Sequence, residues 1–294
     1  MDIQGLKDKI LQLAIQGKLV EQDKNDEPAS ALVQRIKEER DKLVKEGKIR
    51  KPKKLAPIEE EEKPFDIPDG WEWVRLGEVS KIISKGTTPK GGRNAYKDKG
   101  IYFLRVENLT RDYNIDLSNV KLVDIGVHES QLRRSIGEEN DLLISIAGTL
   151  GRVAILKKEH LPCNMNQAIC FVRVFYEKVN VDYLKYIISS LNIQKSMISK
   201  TKTTAQPNLT LEIITDLIIP LPPLAEQKRI VEKVDQLFAL IDELDSNKED
   251  LLEVINLTRN QVLQEAIQGK LVEQNPEDEP ASVLLDRIKE ERDK

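Results

Sequence analysis

Pro223-Leu-Ala-Glu-Gln-Lys-Arg-Ile230 opens a stretch in which apolar residues recur every seven positions as far as about Ile267. Val234, Ile241, Ile255 and Val262 occupy one set of positions and Leu237, Leu244 and Leu251 the other, with Lys248 and Thr258 as polar interruptions. A seven-residue repeat marks the seam of a coiled coil, and a seam demands a partner helix. About forty residues rising roughly 1.5 Å each would span about 60 Å, more than a domain of this size needs for its own core. The stretch reads as a spacer.

A partner seam is written into the same chain. Ala14-Ile-Gln-Gly-Lys-Leu-Val-Glu-Gln22 recurs as Ala266 to Gln274, Asp26-Glu-Pro-Ala-Ser30 as Asp278 to Ser282, and Arg35-Ile-Lys-Glu-Glu-Arg-Asp-Lys42 as Arg287 to Lys294, each 252 positions later. The heptad carries over too, with Ile3, Leu6, Ile10 and Leu13 standing where Ile255, Thr258, Val262 and Glu265 stand in the second copy. Two copies this far apart do not build a solenoid, which needs several adjacent repeats. They suggest a cyclic arrangement in which the end of one unit is followed by the start of the next.

Of the 294 residues, 33% are charged and 4% aromatic, which suits long solvated helices beside one ordinary core. From Trp71 to Pro220 the chain holds 21 lysines and arginines against 16 acidic residues, a net of +5; the flanks hold the remaining 25 against 34, a net of −9. A basic middle with acidic flanks fits a nucleic-acid-facing domain between protein-facing segments. The two cysteines, Cys163 and Cys170, suit a reduced, cytoplasmic protein. Without a run of eighteen apolar residues or a signal peptide at Met1-Asp-Ile-Gln-Gly5, neither export nor membrane insertion is expected.

Along the chain, an amphipathic helix ends near Gly17, because glycine tolerates the left-handed turn that closes helices. Pro28 starts a second helix, from Ala29 to about Lys45. Lys48 to Lys54 and Glu59 to Glu62 are opposed charge blocks with prolines between them, which read as a solvated extended linker. Trp71, Trp73, Val74 and Leu76 form a first strand whose tryptophans serve packing, followed by Val79 to Ile83 and a glycine-, hydroxyl- and lysine-rich loop, Ser84 to Asn94. Short β-branched segments predict strands at Ile101 to Val106, Asp141 to Ala147, Val153 to Leu156, Ala168 to Val174 and Leu217 to Pro223, with helix at Val181 to Ser190 and Gln194 to Ser199. The fold class is α+β: N-terminal repeat helices and linker over 1–70, a mixed β-rich domain over 71–222, and the spacer helix with the second repeat over 223–294.

Catalytic patterns are missing. No cofactor loop with an Asn-Pro-Pro-aromatic tetrad supports methyl transfer, and Gly148-Thr-Leu-Gly-Arg152 reads as a tight turn. Gly86 to Arg93 has glycines at phosphate-loop spacing, yet Gly92-Arg93 stands where lysine and serine or threonine belong. His128 and His160 do not combine with Cys163 and Cys170 at zinc-site spacing. Glu59 to Lys63 offers an acid and a lysine of nuclease type, but within an acidic linker.

Trp71-Glu-Trp-Val-Arg-Leu-Gly-Glu78, Gly86-Thr-Thr-Pro89, Gly148-Thr-Leu-Gly-Arg-Val153, Asn166-Gln-Ala168, Gln206-Pro-Asn-Leu209 and Ile219-Pro-Leu-Pro-Pro-Leu-Ala-Glu-Gln227, with the duplicated repeat, resemble in order the specificity (S) subunit of Type I restriction-modification enzymes. The resemblance implies a non-enzymatic chain that reads double-stranded DNA and scaffolds its partners. Modification (M) subunits methylate adenine with S-adenosylmethionine, and a restriction (R) subunit acts with ATP and Mg; no cofactor belongs to this chain. Family members carry two recognition domains held apart by antiparallel helices, each reading half of a bipartite site. Here there is one domain and one long helix, so the chain is either a half-subunit that forms a homodimer or the first half of a longer protein. A competing reading is an antirestriction or orphan S-like protein that binds M subunits without a target of its own.

Within the resemblance, the expected DNA-binding residues are Lys85, Thr87, Thr88, Lys90, Arg93 and Asn94, then Arg105, Asn108, Arg133 and Arg134, then Lys200, Lys202, Thr203, Thr204 and Gln206. Gly148, Gly151, Gln167 and Pro207 are expected to shape turns. The dimer seam is expected at Val234, Leu237, Ile241, Leu244, Leu251, Ile255 and Val262, with Lys248 setting register and the long helix docking the M subunits.

Overall fold

The structure, a computed structural model, describes residues 2–201, 207–268, 270 and 279–293, with residues 93 and 249 described by their backbone alone. Two helices, α1 (Ile3–Ile15) and α2 (Ala29–Lys45), precede the strands β1 (Glu72–Arg75), β2 (Ser80–Lys85), β3 (Tyr96–Lys97), β4 (Ile101–Leu104) and β5 (Lys121–Val123). After the short α3 (Ile125–Glu129) come β6 (Leu142–Ser145), β7 (Val153–Ile155), β8 (Cys163–Met165) and β9 (Ile169–Val174). Helices α4 (Val181–Ser189), α5 (Leu191–Ser199) and α6 (Leu211–Thr215) lead to β10 (Ile218–Leu221), α7 (Leu224–Ile267) and α8 (Ala281–Arg292). This is an α+β fold with a long helix. Among the described residues no helix is long and apolar enough to cross a membrane.

Strand β9, apolar and buried except at Arg173, sits inside an antiparallel sheet of order β2-β9-β6-β7. A second sheet, β3-β5-β4-β8, pairs β4 and β8 in parallel. Alternation along β4 sends Leu104 into a core shared with Leu143, Ala154, Met165 and Phe171, while Phe103 joins Val123 and Leu132 in a separate cluster. The cysteines lie free and buried in these sheets, and burial pushes both thiols up to about 12. Strands β3, β5 and β8 were not expected from sequence, because two or three residues are too few to display an alternation.

The chain forms two compact units, Met1–Phe238 and Ala239–Lys294. These divide it differently from the expected boundaries at 70 and 222. The reason lies in the first repeat, which is part of the core: Ile10, Leu11, Ala14 and Ile15 of α1 are buried, and α1 rests on α4 and α5. The heptad expected on α1 is therefore corrected, since Leu6 is exposed and Leu11, Ala14 and Ile15 take the inward face. Gly17 does close α1, at φ +66°, and a side chain there would strike Pro68 and Trp71.

The linker is corrected as well. The side chain of Arg75, 5% exposed, donates to the carbonyls of Ala56 (2.9 Å), Pro57 (3.1 Å) and Asp216 (3.1 Å) and to Glu62 (2.9 Å). Each donor of a buried guanidinium needs an acceptor, and residues 56–62 supply three of the four, so that part is fastened rather than solvated.

The seam divides. Ile230, Val234, Phe238 and Ile241, spaced four, four and three apart, are buried, and Leu237 is half-buried. Val234 and Ile241 are thus spent inside the chain, contrary to their expected place in a dimer seam. Leu244, Leu251, Ile255 and Val262 are 43–60% exposed, and Lys248 is exposed. Phe238 meets Tyr186 (5.6 Å between centroids) and Tyr113 (6.4 Å), and Tyr113 is held in the left-handed region at φ 63°. That aromatic group ties the 110–115 loop to α4 and the start of α7.

Candidate nucleic-acid interface

The loop after β2 is anchored before it reaches the surface. Lys85 still pairs with Cys170, then Gly86 N–H donates to Ile169 O and Thr87 N–H to Met165 O, both at 2.9 Å. Gly86 lies so close to the carbonyls of Met165 and Asn166 that any side chain would collide with backbone. Beyond this crossing the loop turns outward. The Thr88 hydroxyl bonds the Gln167 side chain, and Lys90 N–H donates to Gln131 Oε1 at 3.0 Å. Gly91 and Gly92, at φ +103° and +58°, make the bend.

A second turn meets the loop through Gln131. Buried Asn164 donates to the carbonyls of Leu132 and Ser135, each at 3.1 Å, while its Oδ1 lies 2.7 Å from His128 Nδ1. This fixes the turn Arg133–Ser135, from which Arg133 and Arg134 project into solvent. Three segments therefore converge: 85–94, 131–134 and 166–167. Lys85, Thr88, Lys90 and Asn94 are exposed there and Thr87 is half-buried; of Arg93 only the backbone is described.

Exposed cations beside hydroxyl and amide groups can hold phosphate by charge and offer donors and acceptors to base edges. By contrast, the cleft of about 830 Å³ between the linker and β1 is lined by Glu60, Asp66, Asp69, Glu72 and Glu78 against Lys63, a charge that repels phosphate. Among the described residues no three His, Cys, Asp or Glu side chains could hold a metal.

The other expected contacts separate. Asn108 is corrected: it is 2% exposed, its Oδ1 accepts from Arg105 N–H at 2.9 Å and its Nδ2 donates to Asp116 O at 2.9 Å, so its amide is consumed inside the loop. Arg105 pairs with Glu107. The pKa of the Glu62 carboxyl in the linker is lowered first by the bond from Glu59 N–H, then by Arg75, and least by Lys200 at the end of α5. Lys202, Thr203, Thr204 and Gln206 lie outside the described residues. Gly148 and Gly151, both at φ +76°, turn the chain between β6 and β7 as expected. Gln131, Gln167 and Asn164 were missed as site residues; only the Asn166-Gln-Ala168 motif hinted at Gln167.

Sequence reading also missed a clasp in the same unit. The Trp71 indole donates to Glu226 Oε2 at 3.0 Å, and Gln22 Nε2 donates to Glu226 Oε1 at 2.8 Å. Arg229 pairs with Asp26 at 2.7 Å, and Gln227, fully buried, donates to Pro222 O and accepts from Asn180 N–H. Burial raises the Glu226 pKa against these bonds. The first two turns of α7 thus grip the first repeat, Glu226 at Gln22 and Arg229 at Asp26.

Residues 68–254 match the family model described as Type I restriction modification DNA specificity domain. The EcoAI specificity subunit of Escherichia coli is 37% identical over 252 residues, covering 82% of this chain and 41% of that relative. The EcoEI specificity subunit of Escherichia coli is 30% identical over 351 residues, covering 99% and 55%. The chain spans about half the length of the curated relatives it matches. Among solved structures, the HsdS subunit of Thermoanaerobacter tengcongensis aligns at a TM-score of 0.52 and 22% identity, covering 82% of this chain and 56% of its own. A chain from a study of complex assembly in the type I R-M system aligns at 0.54 and 18% identity, covering 92% and 58%. These two share the fold.

Proposed function

The chain belongs to the Type I restriction modification DNA specificity family, and on that premise we propose that it is the non-catalytic subunit that selects a DNA sequence and brings M and R subunits to it. S-adenosylmethionine, ATP and Mg act in those partners. The observation that carries this reading is the convergence of 85–94, 131–134 and 166–167 into one exposed basic and polar surface. Lys85, Lys90, Arg93, Arg133 and Arg134 hold phosphates; Thr87, Thr88, Asn94 and Gln167 face base edges. Arg105, Lys200, Lys202, Thr203, Thr204 and Gln206 are proposed as further contacts on their residue types alone.

The exposed distal stripe of α7, Leu244, Leu251, Ile255 and Val262, supports a homodimer of antiparallel helices. Related by a two-fold axis, two identical domains read inverted half-sites separated by roughly one turn of duplex. The test is to supply M subunits and map methylation with the native chain and with Lys90→Ala and Arg133→Ala. A defined interrupted palindrome is expected, with each substitution weakening binding at every sequence and lowering the salt slope by about 1. M-subunit docking without any preferred sequence would favour the orphan reading; asymmetric sites alone would overturn the homodimer.

A further inference from the structure

Five residues attach α2 to the first unit. Ala29 N–H donates to Gly70 O at 2.8 Å, Leu32 and Ile36 are buried at 1% and 0% exposure, Glu39 pairs with Lys178, and Arg40 Nη1 donates to Glu78 O at 3.0 Å. All five recur on α8, 252 positions later, as Ala281, Leu284, Ile288, Glu291 and Arg292. Even the local pair of Arg35 with Glu27 is reproduced by Arg287 with Glu279. Yet Leu284 and Ile288 are 52% and 51% exposed.

Helix α8 therefore carries the same apolar face, and the same acid and arginine at the same spacing, as a helix whose site is known in detail. We propose that α8 of one chain docks in the α2 site of a second copy of this chain, against Gly70, Glu78 and Lys178, in competition with that copy's own α2. The inference rests on the helix pairing proposed above. In an antiparallel pair joined along the exposed stripe, Val262 of one α7 lies beside Leu244 of the other, so the end of each α7 comes within about 20 Å of the other's first turns. The chain between Ile267 and α8 is long enough to cross that gap at roughly 3.3 Å per residue. Those first two turns, through Glu226 and Arg229, hold the segment leading into α2. The site is therefore within reach of the exchanging helix. Because the contacts are like for like, a docked α8 replaces what the displaced α2 loses, and tether length sets the balance between them.

The test uses full chains in sedimentation, and cross-linking with mass spectrometry on mixed light and heavy-isotope chains. Leu284→Asp with Ile288→Asp is expected to weaken the dimer about tenfold or more, since it charges the docking face. Leu32→Asp with Ile36→Asp removes the competitor and is expected to tighten the dimer about tenfold, and combining the two pairs erases the gain. Heavy-to-light cross-links are expected between Lys289 and Lys178. If the Leu32/Ile36 variant does not fold, the native cross-links decide. A dimer that ignores Leu284→Asp with Ile288→Asp and yields no such inter-chain cross-links overturns the exchange and leaves the helix pairing standing. Cross-links from α8 to an added M subunit alone overturn it equally. A chain that is monomeric at every concentration overturns the pairing and the exchange together.

Discussion

Helices α2 and α8 share the residues that matter for packing and differ in their fate. In α2 the apolar face is buried and its acid and arginine are engaged, whereas in α8 the same face stands about half exposed. The long helix repeats the lesson along its own length: Ile230 and Val234 are core, while Leu251 and Ile255 are surface. An amphipathic stripe says that something covers it, and the covering surface is a property of what lies opposite.

The sharpest way to break the α2–α8 contrast is to substitute the same residue in each copy. At concentrations where the chain is monomeric, Ile36→Ala is expected to cost about 2–5 kcal/mol in urea unfolding, and Ile288→Ala no more than about 0.5 kcal/mol. Equal costs would mean that α8 is already covered within its own chain. A slightly smaller contrast is expected on α7. Ile230→Ala is expected to cost about 2–4 kcal/mol at any concentration. Ile255→Ala is expected to leave monomer stability within about 0.5 kcal/mol while raising the dimer dissociation constant.

The clasp gives a third, weaker effect. Glu226→Ala leaves the buried indole of Trp71 without its acceptor and is expected to cost about 1–3 kcal/mol. Burial holds the folded pKa of Glu226 above 4.5, so the folded state keeps a proton that the unfolded state releases as pH rises past that value. The stability tied to Glu226 is therefore fully present below about 4.5 and is lost as pH climbs through the raised folded value, because burial penalises the carboxylate more than the Trp71 and Gln22 bonds favour it. Glu226→Gln, which retains an acceptor, is expected to flatten that dependence in thermal melts across pH 4 to 7. Smallest of all, Arg134→Ala is expected to leave stability within about 0.5 kcal/mol while weakening DNA binding, which separates surface chemistry from packing.

Much of this molecule was legible in its residues. The duplicated repeat, the long helix, strands β6, β7 and β9 and the family followed from spacing and motif order. So did the loop between Ser84 and Asn94, because glycines, hydroxyls and lysines without apolar neighbours have no place in a core. Asn108 was misplaced for a complementary reason: a polar residue reads as surface until a backbone N–H and a carbonyl are found on either side of its amide. Gln131 carried no signal at all, since its role is to meet a loop some forty residues earlier.

By itself, then, the sequence determined periodicity, duplication and the chemistry available at each position, all of which are local. Tertiary structure alone decided which half of the seam is spent internally, which copy of the repeat is docked, and which polar side chains reach solvent. The physical reason is that burial and hydrogen bonding belong to pairs of surfaces, and identical residues such as Ile36 and Ile288 differ only in what the folded chain places against them.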